Sequence, residues 1–113
     1  MVLLLLSCAF AIDLKDGIAI VFDAKTEKLI GSDAYRKGIE ALEATLYDAY
    51  VQYDIITSDE VLEGALDYYE AVILLAQSAM SDQEVELYRD YVNSGGHIIA
   101  TYTTSLYDAK GNL

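Results

Sequence analysis

Apolar and polar positions along the chain fall into two rhythms that take turns. Gly17 to Asp23 is a nearly continuous apolar run ending on an acid, the pattern of a strand buried on both faces of a parallel sheet. A polar stretch from Ala24 to Lys28 follows. Ser32 or Asp33 can then cap a helix. In that helix Ile39, Leu42 and Leu46 recur at three- and four-residue spacing, with Glu40 and Glu43 off the stripe, and the pattern ends near Tyr50. Tyr53 to Thr57 reads as a second, shorter strand, and Ser58-Asp59-Glu60 opens a helical turn through Val61 and Leu62.

Ala71 to Ala76 is a third strand, again apolar throughout. Ser81-Asp82-Gln83-Glu84 has the form of a capping box, in which the serine oxygen accepts from the Glu84 amide while the glutamate reaches back. Val85, Tyr88 and Val92 continue as a buried stripe, and Gly95-Gly96 stops the helix. His97 to Tyr102 is a fourth strand, and Ser105 to Leu113 reads as loop. Strands alternating with helices predict an open, mainly parallel, flavodoxin-like α/β sheet, with right-handed crossovers placing helices on both faces. Nothing after Asp108 could cover or extend that sheet, so residues 17–113 read as a partial domain.

The first twelve residues stand apart. Val2 to Leu6 is solidly apolar, and Ala9-Phe10-Ala11 has the small-x-small form of a signal-peptidase site. No positive residue precedes the run, and it is too short for a transmembrane helix, which needs about 20 residues. It reads either as a truncated secretory signal, the chain's one route to export and to a membrane, or as a buried strand.

Composition narrows the function classes. The chain has 113 residues, room for one domain. Nineteen acids against seven bases give a net charge of −12, which repels a phosphate backbone and excludes nucleic acid as a partner. Cys8 is the only cysteine, so neither an intrachain disulfide nor a cysteine zinc site can form. Ten tyrosines are an excess. Tyr47, Tyr50 and Tyr53 surround the exit of the first helix, and Tyr68-Tyr69 precede the third strand. Aromatics with a polar tip suit interfaces and sugar stacking, and equally serve as half-buried packing.

The segment from Leu75 to Asn112 carries a family resemblance. An apolar strand, Ser81-Asp82-Gln83-Glu84-Val85, then Tyr88 through Thr101 with Gly95-Gly96, and finally Thr104-Ser105-Leu106-Tyr107-Asp108 with Gly111-Asn112, resembles the class I glutamine-amidotransferase-like fold. Within it, the closer likeness is to the beta-galactosidase trimerisation domain of glycoside hydrolases. The resemblance implies a domain that accompanies a separate catalytic barrel, contributes to oligomer assembly and sometimes borders the active site. This chain would be about its first half, without the barrel. Relatives often place Gly-Glu where Tyr102-Thr103 stands here, so no role of that glutamate carries over.

Ligands of parallel α/β sheets bind beyond the carboxyl ends of the strands. The exits here are Asp23, Thr57-Ser58, Gln77-Ser78 and Thr104-Ser105, with Tyr107 and Asp108 beyond. They form a polar rim suited to a hydroxylated, carbohydrate-like ligand or a partner loop, or else simple strand caps. Catalytic equipment is missing from the pattern. Amidotransferase chemistry needs an elbow cysteine with a histidine, whereas Cys8 precedes the first strand and His97, the single histidine, opens the fourth. No Gly-x-Ser-x-Gly elbow and no dinucleotide fingerprint are present. The pairs Glu84/Glu86 and Glu40/Glu43 read as solvated helix surface. The expectation is a non-catalytic module without cofactor or metal, partnered by itself or by a glycoside hydrolase barrel. The alternative is a fragment of such a hydrolase whose barrel is missing.

Overall fold

The computed structural model describes residues 17–101 and Asp108. The expected signal or strand at residues 1–12 lies outside them. Four parallel strands form one sheet: β1 (Ile18–Phe22), β2 (Tyr53–Thr57), β3 (Ala71–Leu74) and β4 (His97–Ala100), in the order β2-β1-β3-β4. Ile20 lies opposite Ile55 on one side and Ile73 on the other, and Ile73 opposite Ile99. This is the flavodoxin-like arrangement that the alternating pattern predicts. β4 is shorter than expected, although the Thr101 amide still donates to the Leu74 carbonyl at 3.1 Å.

Four α-helices connect the strands: α1 (Ala24–Ile30), α2 (Ser32–Asp48), α3 (Ser58–Leu62) and α4 (Asp82–Asn93). A 3-10 turn spans Ala65–Tyr68. The chain moves one way from β1 to β2 and back past β1 to β3, so same-handed crossovers put α2 on one face and α3 and α4 on the other. Burial follows that division. Ile20 packs with Tyr35 and Ile39 of α2. Its neighbours Ala19 and Val21 join Val61, Leu66, Val72, Leu74, Tyr88 and Tyr91 on the opposite face, as the two-residue period of a strand requires. No helix among the described residues is long and apolar enough to cross a membrane.

Two details depart from the pattern. Ala24 to Lys28, read as plain polar chain, lies inside α1. That helix has no apolar stripe to announce it and is set instead by the cap at Asp23. On α4 the buried positions are Glu84, Tyr88 and Tyr91, while Val92 is exposed; the helix is rotated so that tyrosine rings meet the sheet.

The long helices end alike with different residues. After α4 the Gly96 amide donates to the Tyr91 carbonyl at 2.9 Å and Gly95 donates to Val92 at 3.0 Å, the paired bonds of a Schellman motif. Gly95 has φ 101°. After α2 the same bonds run from Val51 to Leu46 and from Tyr50 to Tyr47, but the left-handed residue is Tyr50, at φ 58°. The Tyr91 ring lies directly over Gly96, leaving no space for a side chain there, and its hydroxyl donates to the Tyr69 carbonyl at 2.8 Å.

Candidate functional site

The carboxyl ends of β1, β2 and β3 converge on a buried polar cluster built outward from Asp23. As the cap of α1, this residue accepts at Oδ2 from the Thr26 amide (3.0 Å) and the Thr26 hydroxyl (2.5 Å). Its Oδ1 accepts from Ser58 Oγ at 2.6 Å and from Lys25 Nζ at 2.9 Å. The four acceptor positions of a carboxylate are thereby filled. Its amide donates to the Tyr35 hydroxyl at 2.8 Å, bringing in a helix from the other side of the sheet.

Lys25 links this cluster to α4. Its Nζ lies 2.9 Å from Glu84 Oε1 as well as from Asp23 Oδ1. Glu84 closes the expected capping box with Ser81: the Glu84 amide donates to Ser81 Oγ at 3.2 Å, and Oε1 accepts from the Ser81 amide at 3.1 Å. Glu84 Oε2 accepts from Gln77 Nε2 at 3.2 Å. At 1% exposure this glutamate is no part of a solvated surface, which corrects the reading of Glu84/Glu86; Glu86 is exposed and pairs with Arg89. The box that caps the helix also supplies the counter-charge for Lys25, and that second partner draws the carboxylate inward.

The electrostatics follow from these bonds. Burial works to raise the Asp23 carboxyl, but hydrogen bonds from Ser58, Thr26 and Lys25 outweigh it and hold the group below the usual carboxylate range. Burial works to lower Lys25, and bonding to Asp23 and Glu84 reverses that, keeping the ammonium charged. The Tyr35 hydroxyl is pushed up to about 12, chiefly by burial.

Of the predicted rim residues, Asp23, Ser58, Gln77 and Ser78 are all buried. Asp23 and Ser58 touch directly, and Gln77 joins them through Glu84 and Lys25. Ser78 Oγ donates to the Ala76 carbonyl at 3.0 Å, and the adjacent Ala79 amide donates to Thr26 Oγ1 at 3.2 Å. Thr57 is exposed and caps α3 with Glu60 in a second capping box, one residue ahead of the expected start. Asp108 is exposed, and Thr104, Ser105 and Tyr107 lie outside the described residues. The pattern missed Lys25, Thr26 and Glu84. A lysine two residues after a strand-exit acid was the available signal, though its partner on α4 was not.

A cleft of about 230 Å³ opens beside the cluster, lined by Phe22, Asp23, Lys25, Thr57, Ser58 and Asp59. Asp23 meets it with both oxygens engaged by donors of the chain itself. Among the described residues no three His, Cys, Asp or Glu side chains gather as metal ligands. His97 is exposed at the start of β4, and its amide donates to the Glu70 carbonyl at 3.1 Å.

No family model matches the chain. Its fold is similar to that of a beta-galactosidase from Bifidobacterium adolescentis, with a TM-score of 0.73 and 21% identity over 88% of this chain and 47% of that one. Gan42B, a GH42 beta-galactosidase, is similar with a TM-score of 0.62 and 16% identity over 88% of this chain and 15% of that one. The chain thus spans less than half the length of either protein.

Proposed function

We propose that this chain is a non-catalytic module of a beta-galactosidase-like glycoside hydrolase, acting in assembly or ligand binding. The observation that carries the proposal is the shared fold: 88% of the chain superposes on part of a beta-galactosidase in two separate cases. The Ser81-to-Asp108 motifs, which resemble the trimerisation domain within the amidotransferase-like group, support the same reading. So does the chemistry of the strand exits, where Asp23 and Glu84 are spent on holding loops together. In this role the partner is a second copy or a catalytic barrel. A hydroxylated ligand would meet the cleft at Thr57 and Asp59, and Thr104, Ser105, Tyr107 and Asp108 would complete the rim.

The test is to purify the chain, assay aryl β-galactoside hydrolysis and determine its mass by sedimentation. The expected outcome is no turnover together with self-association or galactose binding. Turnover dependent on Asp23 would overturn the proposal. The coverage of 47% and 15% of the two beta-galactosidases favours one second reading, a fragment of a glycoside hydrolase whose barrel is missing. A neighbouring reading frame encoding a barrel with two catalytic carboxylates would select it.

A further inference from the structure

Among the described residues β2 lies at the end of the strand order and pairs with β1 alone, so within them one edge of it carries backbone donors and acceptors without a strand partner. Beside it runs a groove of about 330 Å³ between α2 and the sheet. Phe22, Ile39 and Ile55 give it an apolar lining, with Arg36, Glu40 and Glu43 among its walls. Ile55 is 44% exposed, an apolar β-branched side chain presented to water next to an open strand edge.

The charge on the walls selects the occupant. Arg36 is neutralised by Glu27 at 2.6 Å, and its guanidinium lies over the Phe22 ring, 5.2 Å from the centroid. Glu43 accepts from a neutral hydroxyl, that of Tyr53, at 2.6 Å. Glu40 adds a second carboxylate, and Asp59 a third in the adjoining cleft that shares Phe22 and Thr57. The groove is therefore apolar below and negative above. A second copy docking through the same surface would set the same acidic walls, Glu40 and Glu43, against each other, which opposes pairing of two copies through this groove.

We propose that this groove is the docking site for an extended, basic polypeptide segment that adds as a strand to the free edge of β2. The segment sets an apolar side chain against Ile55 and Ile39 and lysine or arginine side chains opposite Glu40 and Glu43. Backbone pairing gives such a complex its affinity, and the groove and its charge give the specificity. The site stands whether or not the segment belongs to a glycoside hydrolase.

The probe is a nine-residue peptide alternating valine and lysine, titrated into the isotope-labelled chain, with a valine–glutamate peptide as counterpart. Amide shifts are expected at residues 36–43 and 53–57, with β2 amides gaining exchange protection and affinity falling as salt rises. Ile55→Lys and, separately, Glu40→Lys should each weaken binding at least about tenfold, as loss of one anchor or one charge pair does. Val92→Lys on α4, which adds the same charge on the opposite face, should leave affinity within about twofold. Shifts spread over the whole surface, equal binding of the valine–glutamate peptide, or equal loss in Val92→Lys would each overturn the proposal. So would dimerisation of the chain through β2.

Discussion

On the face covered by α3, the 3-10 turn and α4, ten side chains are buried in one contiguous core. On the face covered by α2, among the described residues, Ile20, Tyr35 and Ile39 form a smaller buried cluster, with Phe22, Leu42, Leu46, Tyr53 and Leu75 half-covered around them, and Ile73, opposite Ile20, is buried as well. Because apolar stabilisation scales with the area removed from water, the larger cluster among the described residues puts more of that stabilisation on the deep face. Among the described residues the shallow face has an open groove and a strand edge without a partner. The Asp23 cluster stands at the seam, taking Tyr35 from the shallow side and Glu84 from the deep side. A sheet stabilised mainly from one side can leave the other available for contact.

Breaking the seam should have the largest effect. Asp23→Ala removes the cap of α1 and strips Ser58 and Lys25 of a buried partner, at a cost of about 3–5 kcal/mol, measurable by urea unfolding at pH 7. The same variant alters the acid limb. Since the folded Asp23 carboxyl lies below its unfolded value, its contribution is complete above the ordinary carboxylate range and is lost as pH falls through the folded value. Stability of Asp23→Ala should therefore decline less steeply in acid than that of the parent. Lys25, raised in the folded state, contributes fully below its unfolded value and ceases to do so as pH rises through the higher one.

A direct contest between the faces comes next. Leu74 and Ile39 are almost equally buried, yet Leu74 sits within the deep core and Ile39 lines the groove. Leu74→Ala should cost about 3–4 kcal/mol and Ile39→Ala about 2, the low end for a site that water already reaches. Equal losses would mean that the faces contribute alike and that the shallow face is no spare surface.

Smaller still is Tyr50→Gly. A 95%-exposed tyrosine in the left-handed position gives up little packing on truncation, and relief of its backbone strain should stabilise the chain by about 1 kcal/mol, seen as a raised urea midpoint. Ile55→Thr should change stability by no more than about 0.5 kcal/mol. A larger loss would place Ile55 in the core instead of on a contact surface.

Strand order and the alternation of faces were legible in the sequence because runs such as Ile18 to Phe22 have one reading in a parallel sheet. The helix α1 was not, since Ala24 to Ile30 has no apolar period and depends on a single side chain, Asp23, that pattern alone placed only at a strand end. Tyr91 and Val92 show another limit: both are apolar enough to face the sheet, and the choice rests on the hydroxyl of Tyr91 finding the Tyr69 carbonyl. For the site, the exits of Asp23, Ser58 and Gln77 could be located in advance. Their closing on one another could not. The bond from Ser58 to Asp23 joins residues 35 apart in the chain, and Lys25 reaches Glu84 only once two crossovers have been made.

The adjacent glycines after α4 would answer differently in a saturation library. At position 95 the demand is on the backbone, so asparagine, which tolerates the left-handed region, should survive best among the replacements. At position 96 the demand is on volume. Even alanine would wedge against the Tyr91 ring, lifting the hydroxyl from the Tyr69 carbonyl and loosening the loop that leads into β3. One glycine is a preference with substitutes. The other is a vacancy that the neighbouring ring has already filled.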